Sequence, residues 1–521
     1  AALRQKELLL VLDNCEHLID EAARLADALL GGCPRLRILA TSREPLGVAG
    51  EVEWVVRPLA TPGEGNPADA ESVRLFGDRA RRRQPGFELT EENSRAVGDI
   101  CRRLDGVPLA VELAAARVAV LAPEQISARL DNALSFLTEG NRTAAPRHRT
   151  LQATLAWSYD LLDERERLLF ERLSVFAGGF SLEAAEAVGA DGGSEGILDL
   201  LSKLVHKSLV MAEATEGGAL RYGLLEPVRQ YAWERLAESG GVEGTHRRHA
   251  AFFLDLAEEA RPGINGVERE AWRSRLEAER GNLRTALRWS LENGEVSTAM
   301  RIANAIFWFW FHRGHGKEGR GWLEEALAMG GAEPERAEVL GEVGMFAWLQ
   351  GDHEVSRSRL EESVEICRKT GHSRGLIHPL HFLSMEMLGR GETEKARSLA
   401  EESVEISHEE GDGFDLAIVL ANLGLAAHTQ KDDGVARPAL VECIKVCRRI
   451  GDDWLLSLPF RHLGYMELRE GNHEKATELF EEGLGALRNV REKWFVARAV
   501  ETLAIASAMR GSPVKAARLF G

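Results

Sequence analysis

Asp13 and Asn14 close a run of five apolar residues, Leu8-Leu9-Leu10-Val11-Leu12. A carboxylate delivered at the end of such a run suits a hard cation such as Mg²⁺. A second apolar run, Leu36-Arg37-Ile38-Leu39-Ala40, ends in Thr41-Ser42-Arg43. A guanidinium there suits phosphate oxygens. A third cluster, Asp105-Gly106-Val107-Pro108, interrupts a helical stretch. It is either a plain helix-to-helix joint or a turn that lays a proline ring and free backbone groups against a flat ligand.

The elements that must hold these groups follow from periodicity. A short continuous apolar run predicts a strand buried on both faces, as in a parallel sheet. Ligands of such sheets bind beyond the carboxyl ends of the strands, where Asp13 falls. Between the two runs, Cys15 to Leu30 carries a helical stripe of Leu18, Ala22, Leu25, Ala26 and Leu29. Strand, helix and strand make a βαβ unit aimed at a phosphate or a metal. Glu51 to Leu59 reads as a further short strand or extended segment, and Gly63 to Ala68 as a loop. Helices are expected from Ala70 to Arg83 and from Thr90 to Leu104, the latter started by Thr90 with Asn93. Gly106 permits a C-cap conformation, and Pro108 suits the first turn of the next helix.

From Thr150 to Leu236 the pattern changes to helices at Leu151–Leu162, Asp163–Val175, from Ser181, and Ile197–Leu204. Two strands, Leu209–Glu213 and Leu220–Leu225, flank a turn at Gly217-Gly218. Helices closed by a hairpin make a winged-helix candidate. The candidate recognition helix, Ile197 to Lys207, offers only Lys203 and Lys207 as cations, which favours an intramolecular role over DNA binding. Beyond Thr245 the chain reads as helical. The block Phe307-Trp308-Phe309-Trp310-Phe311 is either a helix packed on both sides or the wall of a hydrophobic effector pocket.

The C-terminal third repeats every forty residues. One turn column holds Gly351, Gly391, Lys431, Gly471 and Gly511, followed by Asp352, Glu392, Asp432, Asn472 and Ser512. A second holds Gly371, Gly411 and Gly451. Large apolar residues at Val343, Leu383, Leu423, Leu463 and Leu503 each precede a small one: Gly344, Ser384, Gly424, Gly464 and Ala504. Further columns are Ser356, Ala396, Ala436, Ala476, Ala516 and then Leu360, Ala400, Leu440, Phe480, Phe520. Two helices per unit explain them, with small residues letting the helices approach. The array resembles tetratricopeptide repeats, lengthened from the usual ~34 residues.

With 521 residues the chain holds several domains. A net charge of −17 excludes non-specific nucleic-acid binding by the bulk surface. Six scattered cysteines without a CxxC pair are expected as buried thiols, including the neighbours Cys443 and Cys447. No apolar run reaches the ~20 residues that span a bilayer, so no membrane partner and a cytoplasmic location are expected. The absence of an initiator Met at Ala1 and the end at Leu519-Phe520-Gly521 inside a repeat suggest a fragment.

Taken in order, Leu9 to His17, Ala40 to Leu46, Leu104 to Ala110, Tyr222 to Leu236 and Leu276 to Leu287 resemble the STAND-class signalling ATPases. These carry an NB-ARC nucleotide module and occur in bacterial transcriptional regulators of the SARP and LuxR types. The resemblance implies a multidomain, mainly α chain: a partial α/β P-loop NTPase unit (1–62), a helical domain (70–140), a winged helix (150–236), a helical linker (245–335) and an α-solenoid of tetratricopeptide-like repeats (336–521). It further implies ATP/ADP and Mg²⁺ as cofactors, with Asp13 holding the metal, Arg43 reaching the terminal phosphate and Pro108 lying against adenine. Asn14 stands where many relatives have a second acid, which implies slow hydrolysis; no catalytic residue is assigned. The family's phosphate loop would precede Ala1, so the chain from Ala1 onward is expected to be inactive as an ATPase. Leu224, Leu225 and Glu226 stand where the family carries Met-His-Asp. The implied function is a signal-responsive ATP/ADP switch whose repeats bind an effector protein or small ligand, which oligomerises on activation and meets DNA through a domain elsewhere. The alternative is a repeat scaffold with a degenerate nucleotide module.

Overall fold

The computed structural model describes residues 6–13, 15, 18–42, 44–63, 69–130, 151–190, 196–215, 218–487, 500–505, 507–508 and 513–520. Asn14, Arg43, Gly217, Gly511 and Ser512 lie outside the described residues. The chain divides into two compact units, Ala1–His249 and Ala250–Gly521.

The first unit opens with β1 (Leu8–Leu12), α1 (Ile19–Gly32) and β2 (Leu36–Ala40). The two strands pair in parallel, Leu8 opposite Leu36 through Leu12 opposite Ala40. The expected burial on both faces is not what forms. Leu8, Leu10 and Leu12 are half-buried, whereas Leu9, Val11 and Leu39 are more than half exposed. Helix α1 packs on β2, and the row of Leu9, Val11 and Leu39 is left open. The stripe of α1 narrows accordingly: Ala22, Ala26 and Leu29 face inward, and Leu18 and Leu25 are exposed. Glu51 to Leu59 is extended but unpaired, and the side chains of Val52, Trp54, Val55 and Val56 are exposed.

A helical layer follows, with α2 (Glu71–Arg83), α3 (Glu91–Arg103), α4 (Pro108–Ala116) and α5 (Pro123–Ser127). Thr90 and Asn93 cap α3 reciprocally, each side chain accepting from the other's backbone N–H. Val73, Phe76, Val97, Ile100 and Leu104 form its core.

Next come α6 (Leu151–Asp160), α7 (Glu164–Leu173), β3 (Gly179–Phe180), α8 (Leu182–Gly189), α9 (Ile197–His206), β4 (Met211–Ala214), β5 (Leu220–Gly223) and α10 (Glu226–Glu238). The expected hairpin is present, and a third strand joins it. Gly179–Phe180 pairs with Gly223–Tyr222 to give the order β3-β5-β4. Phe180 is thereby buried against Phe176, with ring centroids 4.5 Å apart. Asp163 and Ser181 cap α7 and α8 with their side-chain oxygens.

Helix α11 (Val242–Gly263) begins in the first unit and continues into the second, where α12 (Arg269–Ala278), α13 (Arg280–Glu292), α14 (Val296–Ala305), α15 (Phe307–His312) and α16 (Gly316–Ala328) precede the repeats. The repeats are α17 (Glu333–Leu349), α18 (His353–Thr370), α19 (Ile377–Gly389), α20 (Thr393–Glu409), α21 (Gly413–Thr429), α22 (Asp433–Ile450), α23 (Asp453–Arg469) and α24 (His473–Ala486). A last helix, α25, spans Pro513–Phe520. From α17 to α24 each helix packs on its successor, and α17, α19, α21 and α23 also touch one another in turn.

The repeat columns find a physical meaning here. A Cβ on Gly344, Gly424 or Gly464 would lie 2.6, 2.4 or 2.2 Å from the side chain of Leu360, Leu440 or Phe480 respectively. The small column is the socket for the large one. Where the socket holds serine instead, at Ser384, the matching position is Ala400, so the two columns trade volume.

All six cysteines are buried and unbridged. Cys443 and Cys447 lie 3.9 Å apart, and their mutual hydrogen bond, together with burial, raises the Cys443 thiol well above its ordinary range. Burial likewise pushes Cys101 and Cys367 up to about 11. Thiols held this way are poor nucleophiles. Native protein is therefore expected to react with an aromatic disulfide reagent only on unfolding, when all six thiols titrate; fast reaction of the native chain would contradict the packing.

Candidate functional site

Asp13 follows β1 directly and is exposed. Its carboxylate accepts a hydrogen bond from the Thr41 hydroxyl, which follows β2. The backbone holds the two together: Thr41 donates to the Leu12 carbonyl at 2.9 Å, and Cys15 donates to the Thr41 carbonyl at 2.9 Å. The carboxyl ends of two parallel strands thus present a carboxylate and a hydroxyl side by side, a donor set that suits a hard cation.

Pro108 begins α4 and is exposed. The turn before it is strongly constrained. Gly106 has φ +64°, and a Cβ there would lie 2.0 Å from the Leu59 carbonyl oxygen. Leu59 donates its N–H to the Gly106 carbonyl at 3.0 Å. Asp105, itself at φ 48°, accepts from the backbone N–H of Glu226. The turn is thereby tied at once to the extended segment and to the first residue of α10. The two acids differ in charge preference. Burial raises Asp105 above the ordinary carboxylate range. Glu226 is also penalised by burial, but hydrogen bonds from Arg229 and Gln230 outweigh that and hold it below the range.

These groups border a cleft of about 680 Å³, whose wall includes Arg102, Arg103, Arg221 and Arg229 beside Asp105 and Glu226. The sequence marks Glu226 only as a departure from a family motif and Asp105 only as part of the cluster before Pro108, and it assigns Arg229 no role. Their contacts join segments about 120 residues apart (|i−j| 121 for Asp105 and Glu226), which no local pattern records. The available signal was an acid ahead of a glycine that needs positive φ.

On the winged helix, Lys207 pairs with Glu166 at 2.7 Å, and Lys203 lies 3.6 Å from Glu166 and 3.8 Å from Asp163. Lys203 and Lys207 are thus both engaged within the domain.

Among the repeats, the aromatic block divides by helical period. Phe307, Phe309 and Trp310 are buried, with Phe307 4.8 Å from Phe346 and Trp310 filling the space a Cβ on Gly319 would take. Trp308 borders cavities of about 550 and 830 Å³, Phe311 borders the larger one, and Phe307 also lines the smaller. One face of the block is packed and the other borders open space. The cavity walls draw largely on the alternate helices α17, α19, α21 and α23. The repeat position beginning at Glu338 continues as His378, Ile418 and Leu458, and the one at Glu342 as Phe382, Asn422 and His462. Positions that pack helix on helix repeat; positions that line the cavities change.

Residues 162–237 match a family model of the winged helix-turn-helix domain, and residues 335–409 match one of the tetratricopeptide repeat. The chain carries a winged helix and tetratricopeptide repeats. It is 46% identical over 325 residues to a protein of Mycobacterium tuberculosis described as a putative HTH-type transcriptional regulator, covering 62% of this chain and 36% of that one. It is 44% identical over 268 residues to an uncharacterised M. tuberculosis protein, covering 51% of this chain and 66% of that one. The chain therefore spans about a third of the length of the regulator it matches. The crystal structure of a STAND protein with a tetratricopeptide sensor from Pyrococcus horikoshii aligns with 97% of this chain and 72% of its own, at 15% identity and a TM-score of 0.47. No helix among the described residues is long and apolar enough to cross a membrane.

Proposed function

We propose that the chain is the switching and sensing part of a bacterial transcriptional regulator. In this reading β1, α1 and β2 belong to a P-loop NTPase unit that binds ATP or ADP with Mg²⁺. The repeats take up an effector, and activation oligomerises the protein, with DNA met through another domain. The observation that carries the reading is the turn at Asp105–Pro108. It is bonded to Leu59 on one side and to Glu226 of the winged helix on the other, so a change at the turn reaches α10 without an intermediary. The open row of Leu9, Val11 and Leu39 supports it further, because a run patterned for burial on both faces calls for a second covering layer. The name of the 46% identical relative supports the regulatory output.

Within this reading Asp13 and Thr41 hold the cation, Arg43 neutralises phosphate oxygens and Pro108 lies against the base. The bound metal supplies charge neutralisation between phosphate oxygens. Asn14 accepts no proton, so the site holds nucleotide longer than it turns it over. In the complete protein, fluorescent ADP is expected to bind in a Mg²⁺-dependent manner, with Asp13→Ala weakening it about tenfold or more. Equal binding with and without Mg²⁺, or no binding at all, would leave the repeat scaffold with a degenerate nucleotide module as the better account.

A further inference from the structure

The 550 Å³ cavity is walled by Trp308, Phe307 and Phe414 on its apolar side and by charged residues of α11, α17 and the turn before α19 on the other. Most of those charges are matched. Arg261 lies 3.8 Å from Glu338, Arg374 lies 3.6 and 3.5 Å from Asp412 and Asp415, and His378 Nε2 lies 3.0 Å from Asp415. Glu342 is the exception: its Oε2 is buried and has no hydrogen-bond partner.

Two further wall atoms share that condition, Asn304 Oδ1 and His378 Nδ1. Asn304 is 8% exposed, and its amide nitrogen donates to Glu338 Oε2 at 2.5 Å, which fixes Oδ1 as the atom left over. His378 directs Nε2 at the Asp415 carboxylate, which leaves Nδ1 as the ring atom without a partner. The residues of the wall therefore leave two oxygens without a partner, Glu342 Oε2 and Asn304 Oδ1, and one ring nitrogen, His378 Nδ1. Native structures rarely leave such atoms unpaired. Burial, reinforced by Glu338 and only partly offset by Arg261, keeps the Glu342 carboxyl well above its usual range, and a cation beside it would favour the ionised form.

We propose that this cavity binds an organic cation, a protonated amine on an apolar or aromatic body, with the ammonium answering Glu342 and the body lying against Trp308. An ammonium brings three donors and no acceptor, which suits the two unpartnered oxygens. An aromatic face beside a carboxylate attracts cations from both sides, and the volume suits a small ligand. The neighbouring 830 Å³ cavity shares Trp308, Met345 and Phe382 with this one, so a longer apolar body has space to continue.

The assignment rests on the reading that the repeats sense a ligand, and it names the chemistry of that ligand. The test uses calorimetric titration of the full chain with tryptamine, indole-3-propionate and 3-methylindole. Wild type is expected to prefer tryptamine by about tenfold or more over both others. Glu342→Gln, which keeps the side-chain volume, is expected to erase that preference while leaving 3-methylindole binding unchanged. The retained 3-methylindole binding reports that the variant still holds its fold. Equal binding of all three probes, or a tryptamine preference that survives Glu342→Gln, overturns the cation assignment while the sensing role of the array stands. Absence of binding by every probe overturns both the assignment and this cavity as the sensing site, and leaves the nucleotide reading to its own test.

Discussion

Replacing Gly106 with alanine is expected to destabilise the first unit by about 3–5 kcal/mol, the sum of three separable effects. A φ of +64° costs a residue with a Cβ roughly 1 kcal/mol or somewhat more. The new Cβ would sit 2.0 Å from the Leu59 carbonyl oxygen, and a backbone atom cannot swing aside as a side-chain tip can. The segment must retreat, which breaks the Leu59 N–H bond to Gly106, worth about 1 kcal/mol. Any retreat of the turn also pulls Asp105 from the Glu226 amide, and leaving a buried donor unmet costs about 1–3 kcal/mol. Gly47 supplies the control. It has φ +72°, and a Cβ there would meet nothing within 4 Å, so Gly47→Ala meets only the first cost. Urea unfolding of the two variants, with hydrogen exchange at the Leu59 and Glu226 amides as a local readout, separates the contributions. If Gly106→Ala is as mild as Gly47→Ala, the turn is not the tie described above.

The second large effect lies in the repeats. Glu467 on α23 has a side chain only 1% exposed. It accepts from Arg437 of α22 at 2.7 Å, Lys475 of α24 at 2.8 Å and Asn472 at 2.8 Å. Burial alone would raise its pKa, but these donors outweigh burial and hold it at about 2. A depressed acid contributes stability that is fully present above its unfolded-state pKa and lost as pH falls towards the folded value. The window here runs from about 4.5 down to about 2. Allowing for solvent around the half-exposed Lys475, Glu467→Gln should cost about 2 kcal/mol at neutral pH. The difference between wild type and variant in unfolding free energy should shrink as pH falls through that window. A difference that is flat with pH would mean the carboxylate acts by shape rather than charge.

Local chemistry was legible in the sequence wherever it acts over one helical turn or one repeat. Thr90 and Asn93 announce their cap, Pro108 its helix start, and the socket glycines at 344, 424 and 464 declare themselves by recurrence. What escaped depends on neighbours that recurrence does not name. The run Leu8–Leu12 is patterned for two covered faces, yet only one is covered among the described residues. Gly179–Phe180 has too few residues to show strand alternation, and it becomes a strand only because β5 offers it an edge. Asp105 and Glu226 meet across the unit. Glu342 was hidden for the opposite reason: it lies at a position that changes from repeat to repeat, and a search for repetition passes over such positions.

The alternation of helices in the second unit has a mechanical side. Each repeat helix leans on its immediate successor, and every other one also on the next-but-one, so stability is local and passes along the array step by step. The two cavities cut across that order, since their walls draw on residues from Trp308 to His462. A molecule filling both would add to the few ring contacts, such as Trp308 with Phe414 and Phe311 with Trp454, that already link distant units. It would turn a row of separately yielding joints into one element that gives way all at once, and that change in cooperativity is a signal the array can send along its own length.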